Sequence, residues 1–571
     1  MTDRDRLATA VARRLRPWAK RSHASSTVLA LLGYLASMSP SLLPRTWLIQ
    51  GAIAGVCAAG GYALGRLLEI VFGALARWAE IEVTMSDTAR RLLVWGWPTL
   101  VLIVLLATPS FMLRAHQRTA EIVGTRAPTG LDLLLGSVFA VVVFAVILGI
   151  WHGVAALIER TSAVLNRALP QWISRALAAV VVLVALSGAT ERFVITPFVE
   201  RAVSAASTVN AGALTDPPPQ SPLRSGSTAS AERWETLGFE GRSFVAAGPS
   251  QEEIAAVTGE PAEEPIRVYA GLTGGRDIET AAAAVVAELE RTGAFEREAI
   301  LVVTTTGTGW VNEWVPSSFE FLLGGDSAVA AMQYSTLPSP IAFLQSAALP
   351  PEAGTALITA VRTAIDARPD NSRPRMFLSG ESLGAYGANA DFDSLDDMLD
   401  TVDGALFTGT PGFTPLLREI TDSRVQSSTE VLPVVDNGAH VRFASDAAEL
   451  VADQFGRALG PWGYPRVVYL QHRSDPVVWW SPELLIRSPD WLNETRQGSP
   501  AEQMSWAPFV TFWQVTADLG WANTAPPGEG HRYGHEVVPA MAAILGDEAL
   551  DDYSVIQDHI ADKDRFAQQQ P

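Results

Sequence analysis

Long apolar runs fill the first 200 residues and then stop. Five stretches, at 26–43, 47–65, 92–113, 131–157 and 176–197, are long enough, or nearly so, to cross a hydrocarbon core of about 30 Å. The first is broken by Ser39-Pro40-Ser41 and, with Pro44, has an alternative as half of a re-entrant hairpin with the second. Each apolar run leads into another span rather than into a small-residue cleavage site, so the pattern predicts retained spans and no removable signal peptide. No Asp, Glu or Lys falls near the middle of a span, which argues against an ion-coupled carrier. Gly51, Gly55, Gly60, Gly61 and Gly65 line the second span at spacings that suit close helix packing.

From Ala202 to about Arg233 the chain turns to Ser, Thr, Ala and Pro, the composition of a linker. Beyond it, strand-like and helix-like runs alternate. Strands are predicted at 266–270, 299–303, 329–335, just before Ser382, at 404–407 and at 466–470, with helices near 279–292 and 351–367. That alternation predicts a mostly parallel sheet with helices on both faces. The expected organisation is a multi-span transmembrane domain at 1–200, a linker at 201–235 and an α/β domain at 236–571. A long excursion at 411–460 interrupts the alternation and is expected to act as a lid.

Charge separates the two parts. Through residue 200 there are 19 basic and 11 acidic residues, a net of +8, which leaves −27 for the remainder of a chain whose total is −19. An acidic second part lacks the basic footprint of a nucleic-acid binder. Basic residues also set orientation. The N-terminal tail (Arg4, Arg6, Arg13, Arg14, Arg16, Lys20, Arg21) and the loops with Arg66, Arg77, Arg90, Arg91, Arg160, Arg167 and Arg175 lie on one side, against Arg45, Arg114, Arg118 and Arg126 on the other. The expected localisation is therefore an integral membrane protein with a cytoplasmic N-terminus and an extracytoplasmic α/β domain. A single cysteine, Cys57, excludes an internal disulfide and a cysteine metal site.

The chemistry centres on Gly380-Glu381-Ser382-Leu383-Gly384, preceded by apolar Met376-Phe377-Leu378 and followed by Ala385, Ala388 and Ala390. A G-x-S-x-G turn between strand and helix strains its apical serine, and the flanking glycines let the backbones pass. Such a nucleophile needs a carboxylate and then a histidine downstream. Asp475 stands directly after the 466–470 strand, and His531 lies in the glycine-flanked loop before the last amphipathic helix, with His535 as its rival. His440 and His472 precede the acid and are set aside on chain order. The oxyanion hole is expected from the amide of Leu383 and from Thr308, in Thr306-Gly307-Thr308-Gly309, with Gly307 as the alternative. The Asp391–Asp403 run lacks the glycine and distal glutamate of a calcium loop, and neither a metal nor a cofactor is expected.

Taken with Ser41-Leu42-Leu43-Pro44-Arg45, Thr306-Gly307-Thr308-Gly309-Trp310, Gln333-Tyr334-Ser335 and Gly530-His531-Arg532-Tyr533-Gly534, the elbow gives the chain a resemblance to the bacterial, actinobacterial-type family of membrane-anchored α/β-hydrolases. The resemblance covers nearly the whole chain and implies an α/β-hydrolase fold behind a multi-span N-terminal region. The expected function is a membrane-tethered serine hydrolase cleaving carboxylic esters of lipids or acylated envelope components, with membrane lipids as its surroundings. An acyltransferase using the same triad is one alternative. A non-catalytic scaffold or transport component that retains a hydrolase-like domain is the other. Trp310, Trp314, Trp479, Trp480 and Trp513, close in sequence to the proposed active loops, suit a lipid-like substrate or, equally, core and interfacial packing.

Overall fold

Among the described residues, seven short segments are buried almost throughout, so their apolar residues run together, broken at few positions, rather than alternating. In the computed structural model they form one parallel sheet: β1 (Ile266–Ala270), β2 (Ala299–Thr304), β3 (Ser327–Met332), β4 (Arg375–Glu381), β5 (Gly404–Thr408), β6 (Val441–Ala444) and β7 (Arg466–Leu470). Their order is β1-β3-β2-β4-β5-β7-β6, and every neighbouring pair runs parallel. The structure describes residues 24–80, 87–212, 217–272, 275–494, 498–546 and 552–563. The basic N-terminal tail, Arg4 to Arg21, lies outside them.

Side chains alternate between two apolar cores, one on each face. Ile266, Val268, Ile300, Val302 and Leu378 pack against the helices Ile278–Thr292 and Leu349–Asp366. Tyr269, Leu301, Val303 and Phe377 face Phe319, Val537, Met541 and Ile544 on the other side. Buried charge also sits inside this layer. The Arg267 side chain is fully buried and satisfied by Glu320 and Glu313 at 2.7 Å and by the Phe244 carbonyl at 2.7 Å.

Two compact units divide the chain. One holds residues up to Leu186 together with Pro482–Trp521, and the other holds Ser187–Ser481 and everything from Ala522 onward. The division departs from the expected one at two places. Residues 482–521 belong to the helical unit, because Asp518 accepts the amides of Leu42 and Leu43 and pairs with Arg45 Nε at 2.6 Å, in a contact from which water is excluded. Gln514 donates to the Ser39 carbonyl at 3.0 Å, and Trp513 lies with Phe509 and Phe512 in this unit. The stretch expected as a linker is instead helix to Asn210, and residues 217–233 pack on the sheet unit. There the Arg224 guanidinium donates to the carbonyls of Val245 and Pro249, and Ser230 donates to Glu288.

Among the described residues, four helices of the N-terminal region are long and apolar enough to cross a membrane: Trp47–Trp78, Gly96–Ile122, Gly130–Leu165 and Gln171–Asn210. The first expected span is helical over Ala24–Ser37 among the described residues, a stretch of 14 residues or about 21 Å. It packs on Trp47–Trp78, where a Cβ on Gly61 would lie 2.1 Å from the Leu29 carbonyl oxygen. Leu67, Ile70, Phe72, Val142, Trp151 and Val184 stay exposed along the long helices, an apolar surface that suits lipid rather than water.

Candidate active site

The elbow forms where β4 ends. Ser382 has φ 56° and ψ −122°, a conformation that costs a non-glycine residue about 1–3 kcal/mol. The helix Leu383–Asn389 starts at the next residue. Both flanking glycines are required by contact. A Cβ on Gly380 would lie 2.6 Å from Thr304 Oγ1, and one on Gly384 would lie 2.2 Å from the Thr304 carbonyl oxygen. Leu383, as the first helical residue, has no intrahelical acceptor for its amide.

Asp475 and His531 meet as the chain order predicts. Asp475 follows β7 and caps the short helix Pro476–Trp479 by accepting the Val477 amide at 2.8 Å. Its other oxygen accepts His531 Nδ1–H at 2.7 Å and the Tyr533 hydroxyl at 2.8 Å. The proton on Nδ1 fixes the tautomer and leaves Nε2 with its lone pair free in the neutral ring. Burial opposes the charged imidazolium, yet Asp475, and beyond it Glu381, outweigh burial and raise the His531 pKa above its ordinary value. Nε2 is buried and has no partner among the described residues.

Ser382 is brought to this pair by β5. Its amide donates to the Thr408 carbonyl at 3.1 Å, and at the next residue a Cβ on Gly409 would lie 2.3 Å from His531 Cε1. The Ser382–His531 hydrogen bond is not closed in this structure. His535, the rival in the sequence, is exposed and lies against Trp314 with the rings tilted at 50° and their centroids 4.8 Å apart.

The histidine loop is braced by residues that sequence reasoning passed over. His472 donates from Nδ1 to the Gly530 carbonyl at 2.9 Å and from Nε2 to Glu536 at 2.8 Å. Two acceptors require both ring protons, so the ring is cationic, and Glu536 raises its pKa against burial. Ser474 accepts the Gly530 amide and donates to Glu529. Tyr533 stacks on His472 at 4.1 Å, and its hydroxyl accepts the His472 amide. The signal was local: His472 and Ser474 flank Asp475, and Tyr533 lies two residues beyond His531. Glu381, inside the elbow motif, is fully enclosed. Burial raises its pKa, while Asn312 donates to it at 2.7 Å and Thr408 at 3.1 Å.

Thr308 lies in the loop after β2. Gly309 takes φ 88° and its carbonyl accepts the Tyr269 hydroxyl at 2.7 Å, while Gln333 donates to the Thr308 carbonyl at 2.8 Å. The motifs around Trp310 and Tyr334 are therefore tied to each other. The amides of Thr306, Gly307 and Gly309 are spent on Trp310, Ser339 and Thr306, whereas that of Thr308 donates to no described residue. The backbone lying directly against Gly384 is that of Thr304 and Thr305.

Residues 266–556 match a family described as "Alpha/beta-hydrolase family", and residues 38–249 match one described as "Alpha/beta-hydrolase family N-terminus". No curated protein and no solved structure matches. With about half the chain inside the first match and the second covering most of the helical region, the chain belongs to this α/β-hydrolase family.

Proposed function

We propose that the protein is a membrane-tethered serine hydrolase that cleaves carboxylic esters. The observation that carries this reading is the buried Asp475–His531 pair at 2.7 Å beside an elbow serine at φ 56°. His531 Nε2 takes the Ser382 proton as Oγ attacks the acyl carbon. The amides of Leu383 and Thr308 hold the oxyanion, Asp475 stabilises the imidazolium, and His531 returns the proton to the leaving alcohol. Water activated by the same imidazole then releases the acyl group.

Lipid or acylated envelope esters are the substrates this reading favours. One turn beyond Ser382, Tyr386 packs with Phe343 and Phe413, and Phe413 packs with Trp480, at ring-centroid distances of 5.1–5.9 Å. Leu344, beside Phe343, is 84% exposed. An apolar wall of this kind suits an acyl chain rather than a sugar or a peptide. The orientation follows from the basic residues of the N-terminal region, with the sheet unit outside the cytoplasm.

Purified full-length protein is expected to hydrolyse a p-nitrophenyl ester series, with Ser382→Ala at background. Turnover that survives Ser382→Ala sinks the assignment. For topology, a cysteine placed on the sheet unit is expected to react with an impermeant maleimide in intact cells, and protection there reverses the orientation.

A further inference from the structure

We infer that Tyr334 is a further catalytic residue, whose hydroxyl donates to the substrate's carbonyl oxygen as Ser382 attacks it. The inference rests on the reading of Ser382 as nucleophile. A small cleft between the carboxyl ends of β2 and β3, the start of the helix Leu383–Asn389 and the apolar face of the helix Leu349–Asp366 is bounded by Thr304, Thr305, Met332, Tyr334, Leu383 and Gly384 on the first two sides and by Pro350, Ala353, Gly354 and Leu357 on the last. This edge of a parallel sheet is where such folds take ligands. Leu383 supplies the amide next to the nucleophile, so the cleft borders the reacting carbonyl.

The polar groups of the cleft are spent, save one. Thr304 Oγ1 donates to the Ser379 and Gly384 carbonyls at 3.2 and 2.7 Å, and Thr305 Oγ1 donates to the Met332 carbonyl at 2.8 Å. The Tyr334 side chain is 6% exposed, and its hydroxyl has no partner among the described residues. Burial raises the phenol pKa, so the group keeps its proton and can only gain by donating it. A buried donor left unpaired costs about 1–3 kcal/mol. Phenylalanine would fill the same space without that cost. An acceptor that enters beside Leu383 recovers it, and the acceptor that the chemistry brings there is a carbonyl oxygen gaining negative charge. The hydroxyl thus joins the two backbone donors as a third.

The test uses the full chain in detergent micelles, p-nitrophenyl acetate, and a trifluoromethyl ketone that forms a tetrahedral adduct on serine. Tyr334→Phe is expected to lower kcat by about 10²-fold with KM changed by less than about threefold. The ketone should lose affinity by a factor similar to the loss in kcat/KM, and Tm should stay level or rise. Ser382-dependent turnover that is equal in wild type and Tyr334→Phe overturns the assignment of Tyr334 alone, because the phenol is then inert. A fall in kcat accompanied by a matching fall in Tm also overturns it, by making the role structural. Wild-type turnover that persists in Ser382→Ala overturns the nucleophile itself, and Tyr334 with it.

Discussion

Gly409→Ala is the sharpest probe of how the end of β5 positions His531, the proposed base. The new Cβ would sit 2.3 Å from His531 Cε1, 2.6 Å from Nδ1 and 2.8 Å from a Tyr533 ring carbon. Ordinary contact begins at 3.4 Å, so the imidazole must retreat by about 1.1 Å. Gly409 also holds φ 54°, which costs alanine a further 1–2 kcal/mol or so. A base displaced by about 1 Å is expected to lose on the order of 10²-fold in rate. The acylation rate of Ser382 by p-nitrophenyl acetate reads this directly, with thermal unfolding as a control on the fold. In a His531→Ala background the same change should add little, because the two substitutions disable one step. A folded Gly409→Ala protein that acylates within about threefold of wild type would refute the placement of His531 against β5.

Three further outcomes follow from the electrostatics. His531 must be neutral to accept a proton, and Asp475 and Glu381 raise its pKa, so kcat/KM should climb with pH through a midpoint above the ordinary histidine value; Asp475→Asn should move that midpoint down, and an unmoved acid limb contradicts the pairing. Burial lifts Glu240 from 4.5 to about 7, with the Thr308 side chain bonding it in opposition. Folding therefore favours its protonated form, and stability should fall between about pH 4.5 and 7. A Tm-against-pH series should show that slope, with Glu240→Gln flattening it. Asp518→Ala strands the buried Arg45 guanidinium and the amides of Leu42 and Leu43. It should cost about 3–5 kcal/mol of stability, read as a lowered Tm in detergent, and an unchanged Tm contradicts the burial of the pair.

The sheet was legible because β2 and β5 are largely apolar runs, and β1 and β7 are apolar but for one arginine each, all between helical segments. The elbow was legible because strain at Ser382 demands small residues at 380 and 384. Asp475 and His531 were legible from chain order. What escaped depended on distant partners. Residues 482–521 carry no sign of belonging with the helical unit until Arg45 is found on Asp518, 473 positions away. Val441–Ala444 lay hidden in a polar excursion expected as a lid, because four residues make too short a run to stand out; they complete the sheet as its edge strand β6. Arg267 interrupts an otherwise apolar strand, and its glutamates lie 46 and 53 residues on. Chain order, which pointed to His531, also set aside His472, whose hydrogen bond to the Gly530 carbonyl braces the loop that carries His531.

A fluorophosphonate probe tests the central claim most directly. The folded full-length protein is expected to yield, on digestion and mass spectrometry, an adduct on the peptide that contains Ser382. Labelling should be absent in Ser382→Ala and slowed at least 10²-fold in His531→Ala. A folded wild-type protein that leaves Ser382 unmodified, or modifies it at the same rate without His531, would contradict the account.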